Sequence, residues 1–352
     1  MTGAWWQYAL IFIGAVLLSL VCTPLAIATA LRRGVLDKPG GHKSHSSPVP
    51  YLGGLAVVFS FSASMLIPVL AINESSVSNE FVVVIGVALA LAMLGLFDDL
   101  RGLSSTLRLV CEIAAGVVLW NLDIGVQLVG VSWVDAIITV FWVVGITNAF
   151  NLLDNMDGLS AGIAAIASLS FFAIAASNGQ YMVAGLSLAL GGCALGFLRH
   201  NFHPARVYMG DSGALFFGFL VAFVGLKLQL NISREVSVLV PIIVCAVAVL
   251  DTTLVTVARL QHGLSPFQGG RDHISHRLVK VGLPVPVAVS VMYVAAVSVG
   301  VVAFVISESD KTAAWTLAGL VAVLLVGLGV LAYNVPVYEN SDRRLYKVSV
   351  QD

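Results

Sequence analysis

Apolar and polar positions fall along this chain in long blocks, not at the period of a surface helix or an alternating strand. Eleven apolar runs stand out, near 5–30, 52–72, 81–97, 107–121, 134–150, 159–177, 181–198, 213–230, 236–259, 284–306 and 313–335. Runs approaching ~20 apolar residues read as helices that cross a bilayer. The pattern therefore predicts an all-α integral membrane protein of about eleven transmembrane helices. One polytopic domain covers 1–335, and a tail follows at 336–352. Between two runs the stretch 121–133, NLDIGVQLVGVSW, alternates apolar residues around two glycines and reads as a small β-hairpin on the outer surface.

Composition agrees. The chain is 59% hydrophobic and 11% charged, where an average soluble domain carries roughly 25% charge. The lipid bilayer is thus one obligatory partner. A formal net charge of −1 identifies no other, and no nucleic acid is expected. Cys22, Cys111, Cys193 and Cys245 each lie inside an apolar run with no C-x-x-C pair, so they read as core filler. Residues 1–31 carry no charge, so the first run lacks the basic start of a cleavable signal and is expected to stay as a span.

Lys and Arg give the orientation. Fifteen of the 18 fall on one side if the connection after the first span is cytoplasmic, leaving Lys227, Arg234 and Lys311 opposite. The N-terminus is then outside and the C-terminus cytoplasmic. All seven histidines join the basic side.

The polar residues of that side are concentrated. NAFNLLDNMDGLSAG (148–162) places Asn148, Asn151, Asp154, Asn155 and Asp157 within ten residues at the lip of a span, where such groups are costly. The three-residue spacing of Asn148, Asn151 and Asp154 keeps them on one side of a helix end. Asp98 and Asp99 are adjacent at a helix C-terminus, which disfavours negative charge; a divalent cation, a shared proton or plain solvation would each relieve them. Asp211 precedes small residues and a helix start, which also suits an N-cap. Glu112, four residues after Arg108, suits a local ion pair. Asp251 lies fifteen residues into its run, where it either pairs or lines a site. RLQHGLSPFQGGRDHISHRLVK (259–280) gathers basic residues and three histidines, and HKSHSSPVPYLGG places Lys43 and His45 two apart. Excess carboxylate oxygen without cysteine suits Mg²⁺, with Mn²⁺ as the alternative, and argues against zinc. Acids and bases together at a membrane lip suggest a phosphorylated or diphosphate substrate meeting a lipid.

These motifs carry a resemblance. LGLFDDLRGLSSTLRL, NAFNLLDNMDGLSAG, VYMGDSGALFFGF and SPFQGGRDHISHRL, with the weaker HKSHSSPVPYLGG, resemble the polyprenyl-phosphate N-acetylhexosamine-1-phosphate transferase family in order and placement. The resemblance implies eleven spans, a cytoplasmic site at the bacterial inner membrane, and Mg²⁺-dependent transfer of a sugar 1-phosphate. The donor would be a UDP-sugar, the acceptor undecaprenyl phosphate, and UMP would leave. It assigns Asp98, Asp99 and Asp157 to catalysis, and Asp99 and Asp211 to the metal. Lys43, His45, Arg108, Asn148, Asn151, Asp154, Arg271, His273 and His276 would bind substrate. The last three would take donor phosphate, and Asp98 is left between base, orienting group and second metal contact. Asn155, Glu112, His42 and Ser275 depart from the residues usual at their positions. Ser275 points away from the muramoyl-pentapeptide branch and towards N-acetylglucosamine as the sugar. The oligomeric state is left open, a homodimer among the options. An ion-coupled transporter and an intramembrane aspartyl protease are the rivals. The first would scatter charges near the midplane, and the second would need two acids inside neighbouring spans.

Overall fold

The computed structural model describes residues 4–37, 48–72, 79–230, 232–267 and 269–338, apart from side chains 66–72. Lys43 and His45 therefore lie outside the described residues. The chain is helical in all eleven apolar runs: α1 (Trp5–Arg33), α2 (Gly53–Ile72), α3 (Asn79–Arg101), α4 (Ser105–Asn121), α5 (Ser132–Leu153), α6 (Leu159–Ser177), α7 (Tyr181–Asn201), α8 (Gly210–Lys227), the pair α9 (Arg234–Val244) and α10 (Ala246–Gln261), then a short α11 (Ile274–Lys280) before α12 (Val285–Ser307) and α13 (Lys311–Tyr333).

Among the described residues, eight of these helices are long and apolar enough to cross a membrane, and α9 with α10 makes a ninth bent by 73°. This differs from the single straight span expected at 236–259. Pro241 removes one helical N–H in α9, and Cys245 leaves helical geometry at φ −89° and ψ 6°. α2 and α4 complete the eleven runs. α4, at 17 residues, is about 25 Å long at 1.5 Å per residue.

α8 is the axis of the bundle. Its apolar stretch is 83% buried, against 11% for α13, and it packs on α3, α5 and α2. Sequence explains this difference. α8 opens with Gly210, Gly213 and Ala214, small residues that let neighbouring backbones approach closely. α13 instead presents Leu320, Val323, Leu324 and Leu331 outward, a surface suited to lipid.

The expected hairpin at 121–133 is absent. Asp135, at the start of α5, accepts main-chain N–H bonds from Val129 at 2.9 Å and Gly130 at 3.0 Å, so the segment closes as a capped loop. The only strand pairing among the described residues joins β1 (Leu36–Asp37) to β2 (Val49–Pro50), antiparallel with Leu36 opposite Pro50. It brackets the stretch holding Lys43 and His45. At the end of the bundle away from the acidic motifs, Lys227 pairs with Glu80 at 2.7 Å and Lys311 with Glu235 at 3.7 Å.

Candidate active site

The site forms where the C-terminal end of α3 meets the N-terminal end of α8. A helix N-terminus exposes unpaired N–H groups and positive dipole. Asp99 answers both: Oδ1 accepts from Asp211 N at 2.9 Å and Oδ2 from Ser212 N at 3.3 Å. Asp211 is therefore not its own helix's N-cap, because that helix is capped from α3. The contact depends on Gly95, since a Cβ there would run into the main chain of Asp211.

Arg108 ties the carboxylates together. Its Nη1 lies 2.8 Å from Asp98 Oδ2 and 2.7 Å from Asp211 Oδ2. Asn151 Nδ2 donates to the other Asp211 oxygen at 2.7 Å, and Leu103 N to Asp98 Oδ1 at 2.5 Å. The expected Arg108–Glu112 pair does not form. Two acids on α3 and α8 outweigh one on the same helix, and buried Glu112 instead accepts from Asn148 Nδ2. On α5, Asn148 thus faces Glu112 of α4 and Asn151 faces Asp211 of α8, and Asp154 stands just past the helix end.

After α5 the chain turns at 154–158. Burial, then the nearby Asp211 and Asp99 charges, push the Asp154 carboxyl up to about 8. Burial and the same three acids raise the Tyr51 hydroxyl as well. Asp157 is turned elsewhere: its Oδ2 accepts from Ala205 N at 3.0 Å and pairs with His203 Nδ1 at 2.8 Å. Gly158, at φ +79°, opens α6. Its N–H donates to Asn201 Oδ1 at 3.1 Å, and its carbonyl accepts from Tyr293 Oη at 2.5 Å.

The basic loop is equally anchored. Asp251 of α10 pairs: its Oδ2 lies 2.7 Å from His273 Nδ1, and its Oδ1 accepts from Ile274 N at 2.7 Å. Arg259 grips Asp272 through Nε and Nη2, both at 2.8 Å. Burial alone would raise the Asp272 carboxyl, but the bonds from Arg259 and Tyr338 hold it below its usual range. His276 is pushed down to about 4 by burial, then by His273 and Arg271. Arg271 is exposed.

The structure thus gathers Asp98, Asp99, Arg108, Asn151, Asp154 and Asp211 in one polar cluster. His273 and His276 stand beside each other on the neighbouring loop, ring centroids 6.1 Å apart. Asp157 faces His203. Sequence reasoning missed Tyr51, Asn201 and Asp272. Asp272 had a signal, a carboxylate between two basic residues of a charged loop, whereas Tyr51 and Asn201 had none. Among the described residues, no three His, Cys, Asp or Glu side chains are arranged as a metal cage. Mg²⁺ does not require one, since it usually takes one or two carboxylates and completes its shell with water and substrate phosphates. Asp98 and Asp211, already bridged by one cationic nitrogen, fit that demand.

One residue from Arg108 begins an apolar groove of about 450 Å³ between α4 and α5, lined by Leu109, Ile113, Val117, Trp120, Ile137 and Phe141. Fold and site together define a polytopic membrane protein with a charged, oxygen-rich site and, between α4 and α5, an apolar groove.

Comparison with known proteins extends this. Residues 81–229 match the family described as Glycosyl transferase family 4. A probable undecaprenyl-phosphate N-acetylglucosaminyl 1-phosphate transferase of Bacillus subtilis (strain 168) is 29% identical over 330 residues, covering 91% of this chain and 90% of that one. A decaprenyl-phosphate N-acetylglucosaminephosphotransferase of Mycolicibacterium smegmatis (strain ATCC 700084 / mc(2)155) is 30% identical over 335 residues, covering 85% and 81%. A phospho-N-acetylmuramoyl-pentapeptide-transferase of Bacillus subtilis (strain 168) is 33% identical over 243 residues, covering 63% and 74%. The chain belongs to the polyprenyl-phosphate N-acetylhexosamine-1-phosphate transferase family and is an enzyme, a phosphotransferase.

Proposed function

We propose that the enzyme transfers N-acetylglucosamine 1-phosphate from UDP-N-acetylglucosamine to undecaprenyl phosphate and releases UMP. The observation that carries this reading is the position of Arg108. Its guanidinium holds the carboxylates of α3 and α8 together, and the next residue lines the apolar groove. A lipid phosphate whose chain lay in that groove would bring its head to this cluster. The two relatives that cover 91% and 85% of this chain are named for N-acetylglucosamine, against 63% for the pentapeptide transferase, which favours that sugar over the pentapeptide donor.

In the reaction an oxygen of the lipid phosphate attacks the sugar-linked phosphorus. The P–O–P bond breaks, and UMP leaves with the electron pair. Such transfers depend mainly on positioning and charge neutralisation. Asp211, with Asp98 or Asp99, would hold Mg²⁺, which supplies charge neutralisation for the diphosphate. Asp98 orients the acceptor head, and Arg108 balances the acids while the site is being filled. Arg271 draws the donor diphosphate towards the basic loop, and His273, fixed by Asp251, lines that side. Asp154 and Asn151 face the nucleotide. Lys43 and His45 complete the substrate-binding set.

The reading includes eleven spans in a bacterial inner membrane, with the N-terminus outside and the site cytoplasmic. Arg206→Cys and Thr312→Cys test it: in intact cells an impermeant thiol reagent should label position 312 and leave 206 unmodified, and the reverse would overturn the orientation. A donor panel scored for UMP tests the sugar. Turnover with UDP-N-acetylglucosamine is expected, and turnover only with UDP-muramoyl-pentapeptide would reject it. UMP only from UDP-N-acetylgalactosamine would leave the reaction and change the sugar.

A further inference from the structure

Asn155, in the turn after α5, and Ser275, in α11, are in contact. They are 120 residues apart, and Ser275 Oγ donates to Asn155 Oδ1 at 2.7 Å. The direction of that bond is fixed from the main chain. Asn155 Nδ2 donates to the Leu152 carbonyl at 2.6 Å. A carbonyl can only accept, so the amide nitrogen must lie there and Oδ1 must face Ser275.

A hydroxyl has one proton to give. Ser275 gives it to Asn155, since its other neighbour, His276 Nδ1, is farther at 3.3 Å. Towards His276 the hydroxyl therefore turns a lone pair, which is matched by a proton on Nδ1. Ser275 is fully buried, so water does not compete for either bond. Burial keeps the imidazole neutral, with its pKa at about 4. A neutral ring with its proton on Nδ1 has a bare lone pair on Nε2. The Leu152 carbonyl thus sets the tautomer of a histidine on another loop through two side chains.

We infer that His276 Nε2 is a hydrogen-bond acceptor in the donor site, and that it reads an N–H or O–H group of the sugar nucleotide instead of its phosphates. Phosphate oxygens are themselves acceptors, so a lone pair facing them repels. This inference rests on the transferase reading above. It leaves the donor's charge to Arg271, and it makes Asn155 and Ser275 positioning residues for His276. Asn155 follows Asp154, which places this relay beside the acidic cluster.

The test compares His276→Gln with His276→Arg, and Ser275→Ala with Ser275→Thr, by donor KM and kcat for UMP release at saturating lipid phosphate. Glutamine can offer a carbonyl acceptor, whereas arginine offers only donors and a charge suited to phosphate. Donor KM is expected to stay within about threefold for Gln and to rise about tenfold or more for Arg, the scale of one lost hydrogen bond plus an unpaired group. Ser275→Ala frees the tautomer and should raise donor KM about two- to fivefold, with kcat changing less, and Ser275→Thr should restore it. Arginine binding donor as well as the wild type while glutamine fails would overturn the inference, as would an unchanged KM in Ser275→Ala. Should either His276 variant fail to elute as a single monodisperse species in detergent, the Ser275 pair decides alone. Wild-type UMP release separates the two levels. Its absence sinks the transferase reading, whereas its presence with the reversed variant pattern sinks only the role of His276.

Discussion

Arg108 Nη1 lies 2.7 Å from Asp211 Oδ2, 103 residues away in the chain, and the same nitrogen touches Asp98 at 2.8 Å. One guanidinium therefore prevents two carboxylates of different helices from facing each other uncompensated. Arg108→Ala should reduce kcat by about a hundredfold or more, the range seen when a preorganised charge contact is removed. Arg108→Lys keeps the charge but loses the fork, and should retain more activity than alanine. Equal activity of Arg108→Ala and the wild type would remove Arg108 from the site.

The α3–α8 junction tolerates no side chain at Gly95, where a Cβ would collide with Asp211 main chain. Rigid backbone cannot yield as a side chain can, so Gly95→Ala should cost about 1–3 kcal/mol and lower the melting temperature in detergent by several degrees. Gly14 in α1 has nothing within 4 Å of its Cβ position. Gly14→Ala should leave stability unchanged or slightly raised, because alanine restricts the unfolded chain. Similar melting temperatures for the two variants would contradict the close approach.

Asp154 gives a pH dependence of known sign. Its folded carboxyl is raised from 3.8 to about 8 by burial, then by Asp211 and Asp99. Between those values the folded state holds a proton that the unfolded state has released, so rising pH destabilises the protein. Asp154→Asn removes that proton exchange while keeping the shape. In EDTA, the variant should melt several degrees above the wild type at pH 8 and level with it near pH 4. An identical difference at both pH values would show that Asp154 is not held protonated.

Arg277 holds the end of α13 against the basic loop. Its Nη1 donates to the carbonyls of Ala332 at 3.0 Å and Val335 at 2.8 Å, and its Nε to the Asp272 carbonyl at 2.8 Å. Tyr338 Oη then donates to Asp272 Oδ2 at 2.5 Å. Arg277→Ala leaves helix-end carbonyls and a loop carbonyl unpaired, at ~1–3 kcal/mol, and hydrogen exchange at 332–338 should accelerate. Tyr338→Phe loses one bond and should raise donor KM about two- to fivefold. Unchanged exchange in Arg277→Ala would mean that packing alone holds this end.

The apolar blocks located the helices because a bilayer demands long runs whatever their partners. They could not mark where a run breaks: 236–259 reads as one span, and only Pro241 signalled the 73° bend between α9 and α10. The Asn148, Asn151 and Asp154 spacing was legible because one helix end sets it. Partnerships across the fold were not. Arg108 to Glu112 is the nearest local choice, and it lost to acids that only folding delivers. Asp99 as the cap of α8 is invisible in sequence for the same reason. Asn155 and Ser275 appeared there only as two separate departures, and their contact emerged from the fold. The alternating stretch at 121–133 misled because Asp135 satisfies its main chain, leaving no need for a second strand.

The central claim is that the bond broken lies between the two phosphates of the donor, so that the sugar keeps its phosphate. UDP-N-acetylglucosamine labelled with ³²P at the sugar-linked phosphate, incubated with the enzyme, Mg²⁺ and undecaprenyl phosphate, reports this directly. The account predicts that label moves into the organic phase with the lipid while unlabelled UMP appears in water, and that Asp211→Asn abolishes both. Label remaining in water as UDP while sugar enters the lipid would contradict it.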